Sequence, residues 1–400
     1  MAKNAFNKAI PVMKHILEHG YEAYFVGGAV RDYYLQRDIH DIDIATSATP
    51  DEIEAIFNHT IPVGKEHGTI NVVWDGDNYE ITTFRTEGDY NDHRRPNHVQ
   101  FVRSLYEDVA RRDFTINAMA LDTSFKLYDY FGGRHDLEQR LIRTVGDAQL
   151  RFSEDALRII RGVRFQSQLS FNIATDTYEA MRNAAADIAY LSIERIMVEM
   201  EKLLKGEGIE KAFSAVKDLH LMAHIPYFNR FDWQHISLSQ PISLSQFIAL
   251  LHLIEGKKQH IRALKLSNQT LKEADTLYQA VQALQDLHTK QELKIWLYDY
   301  GIHLAHTVLN LRTLFQNHGV TIPSPLFFNT TSIQTLYESL PIQSRKDIPI
   351  NGKVLMDIFE QPSGPWLKGA LRSIECAVVT QKTQNKQSDI IEWVKLNVEV

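Results

Sequence analysis

The chain of 400 residues has a single cysteine, Cys376, so it forms no internal disulfide and reads as a protein of a reducing compartment. No apolar run approaches the roughly 20 residues that cross a bilayer. The first residues, Met1-Ala-Lys-Asn, lack the charged-then-apolar layout of a secretory signal. These absences point to the cytoplasm and away from a membrane. There is also no excess of basic charge: the net charge of −7 argues against a general nucleic-acid binder. A localised basic track is still allowed, because phosphate contacts depend on local Lys and Arg. Arg94-Arg95, Arg111-Arg112, the Arg158/Arg161/Arg164 series and Lys257-Lys258 are the candidates, the last reading best as a solvated face. A hydrophobic content of 44% and a charged content of 23% suit a globular protein, and the length allows two to four domains.

What is present is organised around Phe25-Val-Gly-Gly-Ala-Val-Arg-Asp32 and Asp41-Ile-Asp43. The apolar run Ala23 to Val26 reads as a strand. Gly27 and Gly28 then clear the turn of side chains, so a phosphate can approach backbone N–H groups, and Arg31 can hold its charge. Asp41 and Asp43 alternate with Ile39, Ile42 and Ile44, the period of a strand. Residues i and i+2 of a strand share a face, so both carboxylates are expected to meet one cation. Two oxygen ligands beside a phosphate cradle suit Mg²⁺, which keeps waters and substrate phosphates as its other ligands. The third glycine of the dinucleotide fingerprint is missing, which sets this apart from a Rossmann site.

Around this stretch, residues 3–19 read as an amphipathic helix ended by Gly20, and Thr49-Pro50-Asp51 opens a helix through Phe57. Ile70–Trp74 and Tyr79–Phe84 read as a hairpin across Asp75-Gly76-Asp77-Asn78. Glu80 on its second strand is either a solvent-facing glutamate, the preferred reading, or a third carboxylate of the metal site. Residues 86–97 have no apolar period and many turn formers, and read as a mobile loop. Leu105 to Ala110 is expected to be helical. From Ser153 a helix is expected, with Ser153 as its cap and Glu154 and Asp155 in its first turn. On it Arg158, Arg161 and Arg164 recur every third residue over one broad face. Helices follow at 175–184, 192–204, 210–219 and 244–253.

Gly-Gly-x-Val-Arg-Asp with Asp-x-Asp resembles the catalytic motif of the class II tRNA nucleotidyltransferases, that is, the CCA-adding enzymes and their bacterial poly(A) polymerase relatives. Arg111-Arg112-Asp113-Phe-Thr-Ile-Asn117 resembles the family's second motif. There the arginine and aspartate hold the nucleotide's triphosphate and ribose, which maps the role onto Arg112, Asp113 and Asn117. Asp129-Tyr-Phe-Gly-Gly-Arg-His-Asp136 resembles the third motif, a hinge between domains. Glu154-Asp155-x-x-Arg158 matches the template-reading motif, and Glu194-Arg195-Ile-Met-Val-Glu199 the last one, which braces head against neck. Thr83-Phe84-Arg85, leading through 86–97, is similar to the family's flexible loop, which serves the switch from C to A addition. Gly364-Pro-Trp-Leu-Lys with Leu371-Arg-Ser-Ile-Glu resembles a tail helix that grips the tRNA elbow. The likeness runs motif by motif over about residues 20–205 and is looser beyond. The closest kind is the bacterial enzyme of Gram-positive type.

The resemblance implies an α+β fold: an N-terminal nucleotidyltransferase (polymerase β-like) mixed sheet with helices, then all-helical neck, body and tail. The expected boundaries are 1–140 head, 141–206 neck, 207–325 body and 326–400 tail, the tail binding tRNA. It implies Mg²⁺ on Asp41 and Asp43, which are also the catalytic pair. CTP and ATP are the implied substrates and tRNA the partner, a homodimer being compatible with the sequence. Gly28, Arg31 and Arg112 would position the triphosphate. Asp155 and Arg158, at i and i+3 of one helix, would accept the amino and serve the ring nitrogen that cytosine and adenine share, and repel uracil and guanine. Arg161 and Arg164 extend the nucleotide-binding face. The rivals are a poly(A) polymerase or A-only enzyme of the same superfamily and, from another class, a non-catalytic RNA-binding protein. The retained loop favours CCA addition over poly(A) synthesis, and the intact Asp41 and Asp43 favour catalysis.

Overall fold

A computed structural model describes residues 2–39, 41–87, 90–91, 95–96, 99–258 and 261–398. The chain forms two compact units, Met1–Ser243 with Ile261–Leu266, and Leu244–His260 with Ser267–Val400. The division at 243/244 falls inside the segment 207–325 that the sequence reading treats as one body.

The first unit is built on a mixed seven-stranded sheet. Helix α1 (Ala2–Glu18) buries Phe6, Ala9, Met13 and Ile16 of the apolar stripe its periodicity predicts, together with Val12, while Leu17 of that stripe is 41% exposed. Strand β1 (Ala23–Val26) leads through Gly27 into α2 (Gly28–Tyr34), then β2 (Asp43–Thr46) and α3 (Pro50–Ile56). Thr49 and Glu52 close a reciprocal capping box at the start of α3. Next come β3 (Thr60–Ile61), β4 (Thr69–Trp74) and β5 (Asp77–Thr83), the last two forming the expected hairpin. The sheet order is β11-β10-β1-β2-β5-β4-β3, with β10 (Met119–Leu121) and β11 (Leu127–Asp129) at one edge. The β2–β5 pair is parallel, and the other pairs of this sheet are antiparallel.

Two expectations change here. Strand β2 begins at Asp43, so Asp41 precedes it and does not alternate with Asp43 along one strand. The reason is the neighbour: β1 ends at Val26, opposite Asp43, where the chain turns at Gly27, and no ladder continues to Asp41. The segment 86–97 is also not wholly loop. Strand β6 (Arg85–Glu87) pairs antiparallel with β9 (Val99–Phe101), and the short β7 (Tyr90–Asn91) pairs with β8 (Arg95–Pro96). Residues 88–89, 92–94 and 97–98, on which the reading as a mobile loop partly rests, lie outside the described residues.

Helix α4 (Leu105–Ala110) follows as expected. The glycine-rich turn before α5 (Gly133–Glu138) is sterically enforced. A Cβ on Gly133 would lie 2.2 Å from the Thr115 carbonyl oxygen, while Asp129 Oδ1 accepts the Gly133 N–H at 2.8 Å. A two-stranded parallel pair joins β12 (Leu141–Ile142) to β13 (Asn172–Ile173). Between them run α6 (Ala148–Glu154) and α7 (Leu157–Leu169). The expected helix start at Ser153 is therefore wrong. Asp147 caps α6 by accepting the Leu150 N–H at 2.8 Å, and Ser153 Oγ donates back to the Leu150 carbonyl. The helix breaks at Asp155, whose Oδ1 accepts the Leu157 N–H at 3.0 Å. Asp155 and Arg158 thus do not share one helix. Helices α8 (Thr175–Ala184), α9 (Ile193–Leu204) and α10 (Ile209–Asp218) match the sequence periodicity within a residue or so at each end, and α9 and α10 pack against α7.

The second unit is helical among its described residues. It contains α11 (Leu244–Glu255), α12 (Asn268–Gln285), α13 (Lys290–Asn310, broken at Gly301), α14 (Arg312–Asn317) and α15 (Thr330–Glu338). It closes with α16 (Gly352–Phe359), α17 (Pro365–Val379) and α18 (Gln387–Asn397). Phe247, Leu250, Leu251, Leu284, Leu297 and Ile374 are fully buried in it. Lys258 of the Lys257-Lys258 pair meets Asp275.

Candidate active site

A cavity of about 1400 Å³ in the first unit is lined by Gly27, Gly28, Arg31, Asp43, Glu80, Arg112, Asp113, Asn117, Asp155, Arg158, Arg161 and Arg164, among others. Of the residues expected from sequence, only Asp41 is absent from its lining, although its charge acts on Asp43 from just before β2.

The sheet positions the acidic wall. The register pairs Asp43 with Val26 on one side and with Glu80 on the other. Glu80 therefore stands beside Asp43 on the neighbouring strand, exposed to solvent as the preferred reading has it, and at the same time lines the cavity. Burial pushes the Asp43 carboxyl above its ordinary value; Arg112 opposes this and Asp41 adds to it. Burial, then Asp43 and Asp41, likewise push Glu80 up. A group of carboxylates that raise one another's pKa is a donor set for which a cation is the natural relief. Among the described residues no three His, Cys, Asp or Glu side chains converge into a complete metal cage.

The turn at Gly27 (φ 70°) brings the two walls together. A Cβ there would lie 3.4 Å from Arg112 Nη1 and 3.5 Å from Asp43 Oδ2, in ordinary contact with both, so it is the left-handed backbone and not crowding that calls for glycine. From α2, Arg31 grips Asp32 through two bonds of 2.9 Å and donates to Asn117 Oδ1 at 2.9 Å. Asn117 Nδ2 reaches Asp113 Oδ1 at 3.4 Å, and Arg161 Nε donates to Asp113 Oδ2 at 2.6 Å. Four residues expected to contact the nucleotide are thus one hydrogen-bonded chain running from α2 to α7. Burial alone would raise the Asp113 carboxyl, but Arg161 and the Phe114 N–H outweigh it and hold it below its usual value.

The basic wall is α7. Its arginines are not a solvated stripe: Arg158 and Arg164 are each 7% exposed. Arg158 pairs with Glu154 and donates to the carbonyls of Arg151 and Arg111. Arg164 Nε lies 3.1 Å from Glu199 Oε2, and Arg161 Nη1 lies 3.8 Å from Glu199 Oε1. Burial, then the charge of Arg161, push Arg164 down to about 10. The charges of α9 reach outward: Glu199 to α7, Arg195 to Asp155 at 2.6 Å, Glu194 to Lys265 at 2.6 Å.

One residue of the site escaped the sequence reading. Asp108, 1% exposed on α4, holds Arg111 at 2.8 Å and Arg112 at 3.1 Å. The signal was present as an acid three and four residues before an Arg-Arg pair, the spacing that meets on one helical face. Burial works against the Asp108 charge, but the two arginines outweigh it and keep the carboxyl below its usual value.

Comparison with known proteins bears on the whole chain. Residues 23–143 match the family described as the poly A polymerase head domain. Residues 170–231 match the probable RNA and SrmB-binding site of polymerase A, and 243–394 the putative tRNA nucleotidyltransferase domain 2. The CCA-adding enzyme of Staphylococcus aureus (strain bovine RF122 / ET3-1) is 50% identical over 400 residues, covering 100% of both chains. The crystal structure of the Bacillus stearothermophilus CCA-adding enzyme in complex with CTP superposes with a TM-score of 0.84 at 37% identity, covering 98% of this chain and 97% of that one. The Thermotoga maritima CCA-adding enzyme complexed with tRNA, at 20% identity and a TM-score of 0.58, shares the fold over 99% of this chain and 96% of its own. Among the described residues no helix is long and apolar enough to cross a membrane. With its mixed-sheet head, carboxylates and arginines facing across one cavity, and full-length identity to these relatives, the chain belongs to the CCA-adding enzyme family of nucleotidyltransferases.

Proposed function

We propose that this chain adds or repairs the 3′-terminal CCA of tRNA in the cytoplasm, using CTP and ATP and no nucleic-acid template. The observation that carries this is the convergence on one cavity of Asp43, the Gly27-Gly28 turn, the arginines of α7 and the Asp155/Arg158 pair.

The 3′-hydroxyl of the RNA attacks the α-phosphate of the nucleotide. A P–O3′ bond forms as the hydroxyl gives up its proton to solvent, the bond from the α-phosphorus to the β-phosphate bridge breaks, and pyrophosphate leaves with its charge. Asp41 and Asp43, with Glu80 beside them, would hold Mg²⁺, which when bound lowers the pKa of the hydroxyl and steadies the leaving group. Arg31, Arg112, Arg161 and Arg164 neutralise the triphosphate, and Gly28 leaves its backbone open to a phosphate oxygen. Asp113 and Asn117 fix Arg31 and Arg161 in register and are available to the ribose. Asp155 accepts from the amino group of cytosine or adenine, and Arg158 serves the ring nitrogen. Residues 1–140 act as catalytic head and 141–206 as neck. Residues 207–325 and 326–400, as body and tail, take the tRNA by A-form shape and phosphates and not by sequence.

The test is incubation of tRNA lacking its last three nucleotides and, in parallel, of tRNA ending in CC, each with CTP, ATP and Mg²⁺, followed by sequencing of the product ends. The expected product ends in CCA. A run of adenosines, or a lone A added only to tRNA ending in CC, would replace this reading by that of a poly(A) polymerase or A-adding enzyme. No incorporation would leave an RNA-binding protein.

A further inference from the structure

Phe165 follows Arg164 on α7, is 4% exposed, and lines the cavity. Three guanidinium groups stand over its ring: Arg164 at 4.0 Å from the centroid, Arg31 at 5.3 Å and Arg161 at 5.5 Å. Phe114 meets the same ring edge to face, with centroids 5.7 Å apart and planes at 82°. Arg31 arrives from α2 and the other two from α7, so the ring sits where the sheet and the helical wall bring like charges together.

Three cations around one point repel unless something offsets them. Carboxylates partly do so: Asp32, Asp113 and Glu199 each take one edge of a guanidinium. A carboxylate, however, occupies N–H donors and cancels the charge. An aromatic ring attracts a cation through its quadrupole without accepting the conventional N–H hydrogen bonds that a carboxylate takes. We infer that Phe165 is a positioning residue, which gathers Arg31, Arg161 and Arg164 while leaving donor edges free for the polyphosphate of the incoming nucleotide. The inference rests on the reading above that the cavity takes a nucleoside triphosphate. Because the base is read elsewhere, by Asp155 and Arg158, the effect of Phe165 falls equally on CTP and ATP.

The experiment compares Phe165→Leu, Phe165→Met and Phe165→Tyr in the full chain. The first two keep an apolar side chain without the ring, and the third keeps the ring. Two readouts are taken: KM and kcat for CTP and for ATP at saturating tRNA, and binding of inorganic tripolyphosphate by calorimetry without tRNA. Phe165→Leu and Phe165→Met should raise both KM values about tenfold, equivalent to about 1.4 kcal/mol, and weaken tripolyphosphate to a similar extent. Their kcat should stay within about twofold, and Phe165→Tyr should restore wild-type KM, as expected where cation–π attraction is the cause. Unchanged KM in whichever ring-less variant folds, a loss confined to kcat, or an equal loss in Phe165→Tyr would each overturn the inference. Tripolyphosphate binding is read without any product, so a wild-type chain that bound it normally yet made no CCA would refute the proposed function and leave this inference standing.

Discussion

Asp155 Oδ2 lies 2.6 Å from Arg195 Nη2, so the carboxylate at the break between α6 and α7 is held from α9 as well as by the Leu157 N–H at the start of α7. Arg158, three residues on, is held separately by Glu154 and by the carbonyls of Arg151 and Arg111. Each half of the proposed base-reading pair is thus fixed by a different partner. We expect Asp155→Ala and Arg158→Ala to lose selectivity and admit UTP or GTP as use of CTP and ATP falls. The discrimination at stake reaches several orders of magnitude, since a wrong base leaves buried polar groups unpaired. Arg195→Ala should erode selectivity less than Asp155→Ala, and in a double-mutant cycle the two should couple. Strict additivity of the two effects would show that Arg195 does not position Asp155.

The acidic wall predicts a graded response. Asp43→Ala should abolish incorporation of both CTP and ATP and leave tRNA binding nearly intact. Asp41→Ala should do the same, acting from just outside β2. Glu80→Gln should lower turnover by roughly one to three orders of magnitude, as a supporting carboxylate would. Single-turnover incorporation over a Mg²⁺ titration checks all three. Near-normal turnover in the Asp43 variant would remove the metal assignment.

Stability should depend on pH through the same groups. The carboxyls of Asp43 and Glu80 are both raised, so folding favours their protonated forms. That contribution is full below the ordinary carboxylate range and is lost as pH rises through the raised values; at pH 7 the ionised groups cost stability in metal-free protein. Asp43→Asn or Glu80→Gln should therefore raise the melting temperature of metal-free protein at pH 7. The difference should close on acidification to below about pH 4. Mg²⁺ should stabilise the wild type more than either variant. A variant less stable than the wild type at pH 7 without metal would contradict this account.

Asp108 should matter more than its distance from the chemistry suggests. It is the buried acid of a pair of ion pairs, and removing one partner of such a pair typically costs about 3–5 kcal/mol. Asp108→Ala should destabilise the first unit by about that amount and raise KM for both nucleotides, because Arg112 loses its anchor. Urea unfolding followed alongside KM separates the two effects. A stable variant with unchanged KM would show that Arg112 is placed by other means.

The sequence by itself determined the family-level chemistry, because its signals are local. Gly27-Gly28 frees a turn, Arg31 follows within one helical turn, and the hairpin at 69–83 is written in alternation and turn residues. The amphipathic helices α1, α8, α9 and α10 were legible for the same reason, since a 3.6-residue period needs no partner to be seen. What only the tertiary structure decided was which charges meet. Asp43 and Glu80 are 37 positions apart and become neighbours through a parallel ladder. Asp155 finds Arg195, and Arg161 finds Asp113, across gaps of 40 and 48 residues. The helix break at Asp155 was hidden because Ser153, Glu154 and Asp155 suit a helix start as well as a helix end. Local capping chemistry is degenerate, and Asp147 had already capped α6. The burial of Arg158 and Arg164 was likewise invisible in a periodicity that a solvated face shares. Only packing against α9 and the head turns that stripe into the wall of a cavity.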